Sequence, residues 1–360
     1  MITPNPIIGT GIHAVGGISA ATCYMPFHKT SKWSWGTFWL VQAFFAWLLM
    51  PVIIGVLTVP GFFSILLDAP AKAFWGAFLF GAIYGFGGMS FGLAIRHIGY
   101  SLTYTIAIGI SAVLGTIIPL MVFGGIIEHF LKPGGFIVLS GMIISVIGVG
   151  LCGLAGFRKE KDINALEGKS TNFNMLTGLI LAIIGGVLSG IFNVSLEFGQ
   201  PIADIAAQRG AEHFEGNAKL VVSTAGCYLV NLIWFLVAGI KQKTLIEFTG
   251  KSGLPASHRF KNFIWSAFAG SLWCFQFFFY GLGHVKMGYF KFASWVLHMS
   301  MLIFFSYIVG VIMKEWKKVK AGTYVILVIA LLTLVISFIV TAYGSFIGEG
   351  IMQSLSGYGK

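Results

Sequence analysis

Apolar stretches about a membrane thick alternate with short polar connections ten times along this chain, at 6–27, 35–58, 73–95, 100–123, 136–156, 175–197, 219–240, 262–283, 291–313 and 322–345. A helix needs ~20 mostly apolar residues to cross a hydrocarbon layer of ~30 Å. That layer holds no water to satisfy backbone groups, and helices satisfy theirs segment by segment. The pattern therefore predicts an all-α integral membrane protein with ten transmembrane helices.

The ten spans contain an echo. Residues Phe91 to Ser101 read FGLAIRHIGYS and residues Tyr280 to Phe290 read YGLGHVKMGYF, so Gly92, Leu93, Gly99 and Tyr100 recur 189 positions later as Gly281, Leu282, Gly288 and Tyr289. The connection between spans 3 and 4 thus resembles that between spans 8 and 9. A weaker match pairs Gly16-Gly17-Ile18 with Gly185-Gly186-Val187. The polar run from Arg158 to Asn174 is the natural boundary, giving a first repeat over 1–157, a polar linker loop over 158–174 and a second repeat with the tail over 175–360. Two five-span units joined in series have opposite orientations, so the expected architecture is a 5+5 inverted repeat. Secondary transporters use that arrangement to alternate access to a site near the bilayer midplane.

Polar side chains inside such spans cost roughly 2.5–3.5 kcal/mol on insertion scales for the charged ones, so those that persist tend to line a pathway. Trp273, Gln276, Tyr280 and His284 fall at spacings of 3, 4 and 4, one helical face of span 8; Lys291, Trp295 and His298 share a face of span 9. Indoles, a phenol, imidazoles and an amide on facing helices suit a polyhydroxylated ligand, with hydroxyls taking hydrogen bonds and C–H faces lying on rings. The bland alternative is an aromatic interface belt with interhelical hydrogen bonding. At the corresponding first-repeat positions stand Tyr84, Gly87, Phe91, Ile95, Leu102, Ile106 and Gly109, nearly all apolar or small, so the polar contacts should come from the second half. Span 6 adds Ser189, Asn193 and Glu197, and span 1 adds His13 and Tyr24. Glu197 is the only carboxylate inside a predicted span; with His13 and His298 it completes the set of candidate proton carriers.

Composition agrees with the spans: 57% hydrophobic, 10% charged, 48 glycines and a mean hydropathy of +0.87. The net charge of +11 is not a nucleic-acid signature, because the basic residues sit between spans. Connections after spans 1, 3, 5, 7 and 9 hold 16 of the 23 Lys and Arg, and the other side holds 7. The positive-inside rule then places both termini outside the cytoplasm and the Arg158–Lys169 loop within it. The first span has no preceding Lys or Arg and no small-residue cleavage site, so it is expected to remain in the mature protein. Cys23, Cys152, Cys227 and Cys274 lie in apolar spans without a CxxC pair and read as packing residues. No catalytic triad, phosphate loop, metal cluster or cofactor motif is present, so no cofactor is expected.

Particular runs carry a resemblance. Trp273-Cys-Phe-Gln276-Phe-Phe-Phe-Tyr280-Gly, Gly283-His284, Ser294-Trp295-Val-Leu-His298-Met-Ser300 and Lys314-Glu315-Trp316, with Cys23-Tyr24-Met-Pro26-Phe and Lys32-Trp33-Ser34-Trp35, resemble the L-rhamnose–proton symporter family of the drug/metabolite transporter superfamily. The resemblance covers nearly the whole chain. It implies a small-molecule sugar partner, a lipid bilayer, and uptake of a 6-deoxyhexose with H+ across the bacterial inner membrane, Na+ being the alternative coupling ion. The chain departs from the family pattern at Glu197, where Asn is expected, and at His28, where Lys is; His13, Gln276, His284, Trp295 and His298 match. Rival readings are an exporter of amino acids or cations from the same superfamily, which Glu197 would suit, and a membrane sugar sensor or enzyme.

Overall fold

The computed structural model describes residues 3–167 and 172–357, and among them there are helices and no strands. Among the described residues ten helices are long and apolar enough to span a membrane: Pro6–Lys29, Trp35–Thr58, Ala71–Ile98, Tyr104–Phe123, Gly135–Ile163, Met175–Gln208, Glu212–Lys241, Ala256–Lys286, Gly288–Ile312 and Ala321–Ser354, hereafter spans 1 to 10. Large apolar side chains such as Ile143, Leu332 and Ile339 face outward. Such a surface is stable only against hydrocarbon.

The polar linker loop expected at 158–174 is a correction. The helix of span 5 continues unbroken to Glu167 and the next begins at Asn172, leaving 168–171 outside the described residues. Lys, Glu and Arg are good helix formers, so polarity here marks the membrane exit rather than the helix end. Span 10 likewise belongs to a helix that runs to Gly357, so the structure places Glu349 within it; Asp162, near the end of span 5, is a further carboxylate. Glu197 is therefore one of several.

The repeated sequence shares one backbone feature. Span 3 stops at Gly99 (φ +78°) and span 8 is followed by Gly288 (φ +57°), the aligned glycines of the echo. Both adopt the left-handed conformation that ends a helix and that side chains with a Cβ resist. Two further spans depart from α geometry, with π-helical turns at Phe45–Leu49 and Tyr104–Ile108.

The chain clusters into two compact units: unit 1 comprises Met1–Ile18, Gly87–Val194 and Leu282–Lys360, and unit 2 comprises Ser19–Phe86 and Ser195–Gly281. Each draws on both halves of the sequence. Spans 1, 3, 6 and 8 contribute to both units, and they are the first and third spans of each half.

Unit 1 is held by close backbone approach. Gly141 abuts Thr341 and Gly148 abuts Leu334, letting spans 5 and 10 lie against each other where lipid offers no hydrophobic drive. Tyr307, fully buried, donates its hydroxyl hydrogen to the Cys152 carbonyl at 2.6 Å. In unit 2, Gly81 meets the Ser223 backbone and Gly270 meets the Gln42 backbone. Trp39 Nε1 donates to Asn231 Oδ1 at 2.9 Å, while Asn231 Nδ2 donates to the carbonyls of Gly85 and Cys227. One asparagine thus ties spans 2, 3 and 7.

Candidate functional site

Unit 2 contains an unbroken series of aromatic rings. Tyr24 stacks on Trp39 (centroids 5.9 Å, planes 10° apart), Trp39 meets Trp47 at 5.9 Å, Trp47 meets Trp273 edge-on at 5.3 Å, and Trp273 stacks on Tyr84 at 6.3 Å. Span 8 is a regular α-helix, so the sequence spacing holds: Trp273, Gln276 and Tyr280 are all buried on it, and His284 is half-buried in the following turns. Glu197 is half-buried one residue before the end of its helix.

The amides of unit 2 divide into two groups. Asn217 donates to Thr58 Oγ1, Asn231 makes the three bonds above, and Asn262 exchanges hydrogen bonds with the Ser31 backbone. Gln276 is equally buried, at 5% exposure, yet hydrogen-bonds to no described residue. A buried amide without a partner costs free energy unless something else pairs with it. Gln276 is therefore equipped to take a ligand's hydroxyl, beside rings suited to its C–H faces.

Two residues of unit 2 escaped sequence reasoning. Gln42 and Trp47 are buried on span 2, and neither Gln42 Oε1 nor Trp47 Nε1 has a hydrogen-bond partner among the described residues. Their spacing of five scatters them on a regular α-helix, but the π-helical turn at Phe45–Leu49 rotates Trp47 onto the side of Trp273. Lys219 was also missed; it is buried in span 7 and donates to Gln200 Oε1, while Gln200 Nε2 donates to Asp204.

In unit 1 the histidines meet. His13 on span 1 and His298 on span 9 lie with ring centroids 5.6 Å apart and planes 67° apart, both fully buried. Gly17 abuts the backbone of Met301 and Leu302, and a Cβ at Gly283 would press on the His13 ring, so two glycines let the elements close around the pair. Two other sequence-selected residues of this unit hydrogen-bond to backbone carbonyls. Trp295 is 1% exposed and donates Nε1 to the Ser111 carbonyl at 2.8 Å, while Asn193 Nδ2 donates to the Gly115 carbonyl at 2.8 Å. A side chain at Gly115 would overlap the Trp295 indole. Gly115 is thus where spans 4, 6 and 9 converge.

The shared face expected for Lys291, Trp295 and His298 is a correction. Residues Gly288–Ala293 form a 3-10 segment with a non-helical Phe290, and the α-helix begins at Ser294. Lys291 precedes it and follows a different periodicity. Among the described residues no three His, Cys, Asp or Glu gather where a metal would bind. The four cysteines are buried and, among the described residues, form no disulfide, consistent with packing.

Comparison with known proteins gives one family. The model described as L-rhamnose-proton symport protein matches residues 3–348. Proteins named L-rhamnose-proton symporter are similar over most of their length: that of Escherichia coli O17:K52:H18 is 33% identical over 89% of this chain and 92% of its own, that of Klebsiella pneumoniae subsp. pneumoniae 34% over 87% and 91%, and that of Yersinia pestis 31% over 94% and 98%. No solved structure matches the chain.

Proposed function

The chain belongs to the L-rhamnose–proton symport protein family, and from that premise we propose that it carries L-rhamnose or a closely similar 6-deoxyhexose inward with a proton. The observation that carries the chemistry is Gln276, a buried amide without a described partner next to the aromatic series of unit 2. An amide donates and accepts, which matches hydroxyls of either polarity. Trp273, Tyr280 and Tyr24 supply the flat apolar surface for the ring and the C6 methyl. Trp295 and Asn193 act by holding spans 4, 6 and 9 together rather than by touching sugar.

Proton coupling is assigned to the His13–His298 pair, with His298 first and Glu197 as the rival group. The helix carrying Trp273 and Gln276 runs unbroken to Lys286, and its Gly283 lies against His13, so a shift of this helix on sugar binding reaches the histidine surroundings. The membrane is the bacterial inner membrane, with both termini periplasmic. The matching left-handed glycines Gly99 and Gly288 support a 5+5 inverted repeat with halves at 1–157 and 175–360, and that layout supports membership of the drug/metabolite transporter superfamily.

The test is uptake of labelled L-rhamnose into proteoliposomes, with pH and Na+ gradients imposed separately. Accumulation driven by the pH gradient is expected. Accumulation driven only by Na+, or a purified protein that never concentrates sugar, overturns the reading. Gradient-driven movement of amino acids or organic cations instead of sugar would favour the exporter, for which the half-buried carboxylate of Glu197 is the supporting feature.

A further inference from the structure

We infer that Gln42 and Trp47 form a second hydroxyl-reading pair in unit 2, in which Gln42 Oε1 accepts from, and Trp47 Nε1 donates to, ring hydroxyls of the hexose, so that the carrier discriminates sugars by those hydroxyls. This rests on the transport reading above.

The two orphaned groups are complementary. Gln42 is 3% exposed and its side-chain oxygen has no hydrogen-bond partner; Trp47 is 3% exposed and its indole N–H has none. One is a pure acceptor at that atom and the other a pure donor. An anion would satisfy only the indole and a cation only the oxygen. A neutral polyol satisfies both, because each of its hydroxyls donates and accepts.

The backbone and the ring that carry these two atoms are held in place. The Gln42 backbone is fixed, since its carbonyl accepts from Phe45 N–H and lies where Gly270 lets span 8 approach span 2. The Trp47 ring is fixed edge-on against Trp273. Every buried asparagine of unit 2 is meanwhile spent on ties between protein groups. Buried polar atoms without partners are rare in folded proteins because each forfeits its bond to water, and they persist where a ligand or ordered water completes them. Trp47 and Trp273 being in ring contact places this pair beside the Gln276 helix.

The test is isothermal titration of the purified full-length protein in nanodiscs with L-rhamnose and its single-deoxy derivatives. Gln42→Leu and Trp47→Phe are compared with wild type, and Gln42→Met serves as the shape-conserving alternative if Gln42→Leu lowers the melting temperature. Each variant is expected to lose about 10- to 100-fold in affinity for L-rhamnose. For each, one deoxy sugar should bind variant and wild type equally, because the contact it lacks is already gone. Variants that discriminate among the deoxy sugars as wild type does overturn the inference and leave these atoms paired with structural water only. Gln276→Leu and Trp273→Ala run alongside: if they weaken rhamnose binding while the span 2 variants do not, this inference alone fails; if wild type binds no rhamnose, the transport reading fails with it.

Discussion

Glu349, buried in span 10, accepts the backbone N–H of Tyr289 on Oε2 at 2.9 Å, and Gln353 Nε2 donates to its other oxygen at 3.0 Å. The carboxylate caps the turn that starts span 9 immediately after the left-handed Gly288. Removing it takes away the acceptor that the Tyr289 N–H has in this part-buried turn. Glu349→Ala is expected to cost about 1–2 kcal/mol, whereas Glu349→Gln, which keeps an acceptor oxygen, should cost less. Gly288→Ala should cost more than Glu349→Gln, because it adds left-handed strain and presses a Cβ onto the carboxylate. Thermal denaturation in detergent ranks the three; equal melting temperatures for Glu349→Ala and wild type would remove the capping role.

Gly115 provides a test of packing independent of transport. A Cβ there collides with the Trp295 indole, whose N–H is committed to Ser111, and the Gly115 carbonyl is the acceptor for Asn193. Gly115→Leu is expected to be poorly folded, and Gly115→Ala to cost about 1–3 kcal/mol through forced repacking. Trp295→Phe removes one interhelical hydrogen bond, worth about 0.6 kcal/mol in membrane proteins. If Trp295→Phe instead weakens sugar binding at unchanged melting temperature, Trp295 touches ligand.

Where local periodicity governs, the sequence was readable. The ten spans follow from uninterrupted apolar runs, and the spacing of Trp273, Gln276 and Tyr280 holds because span 8 is a regular helix. Reading failed where the helix changes its pitch: the π-turn hid Gln42 and Trp47, and the 3-10 segment misplaced Lys291. Glu349 was overlooked because the polar residues after Gly344 looked like a span end, although the helix continues. The contact of His13 with His298 joins positions 285 residues apart, and no local pattern encodes it.

Orientation is a separate expectation, motivated by 16 Lys and Arg on one set of connections against 7 on the other. Structure qualifies the count without reversing it, because Lys159, one of the 16, is buried and paired with Glu315 at 2.9 Å, and Lys219, one of the 7, is buried in span 7. Setting both aside leaves 15 against 6. Fusions of a periplasm-active reporter after Lys360 should be active, and fusions within residues 158–169 inactive. The opposite pattern would place both termini in the cytoplasm.

Coupling makes the sharpest demand on the His13–His298 pair. A symporter needs one group whose proton affinity depends on bound sugar, and by linkage the proton must strengthen sugar binding by the same factor. Two imidazoles with ring centroids 5.6 Å apart repel if both are charged, so the pair resists taking up two protons at once. Replacing the carrier of that proton by a neutral side chain removes the driving step but leaves sugar binding and the conformational cycle. His298→Gln is therefore expected to abolish pH-driven accumulation of L-rhamnose in proteoliposomes while preserving equilibrium exchange of labelled for unlabelled sugar. Its sugar affinity should also lose its dependence on pH, which a variant that is merely misfolded would not show alongside intact exchange. His13→Gln should do the same less completely. If both variants accumulate sugar as wild type does and Glu197→Gln does not, the Glu197 carboxylate carries the proton.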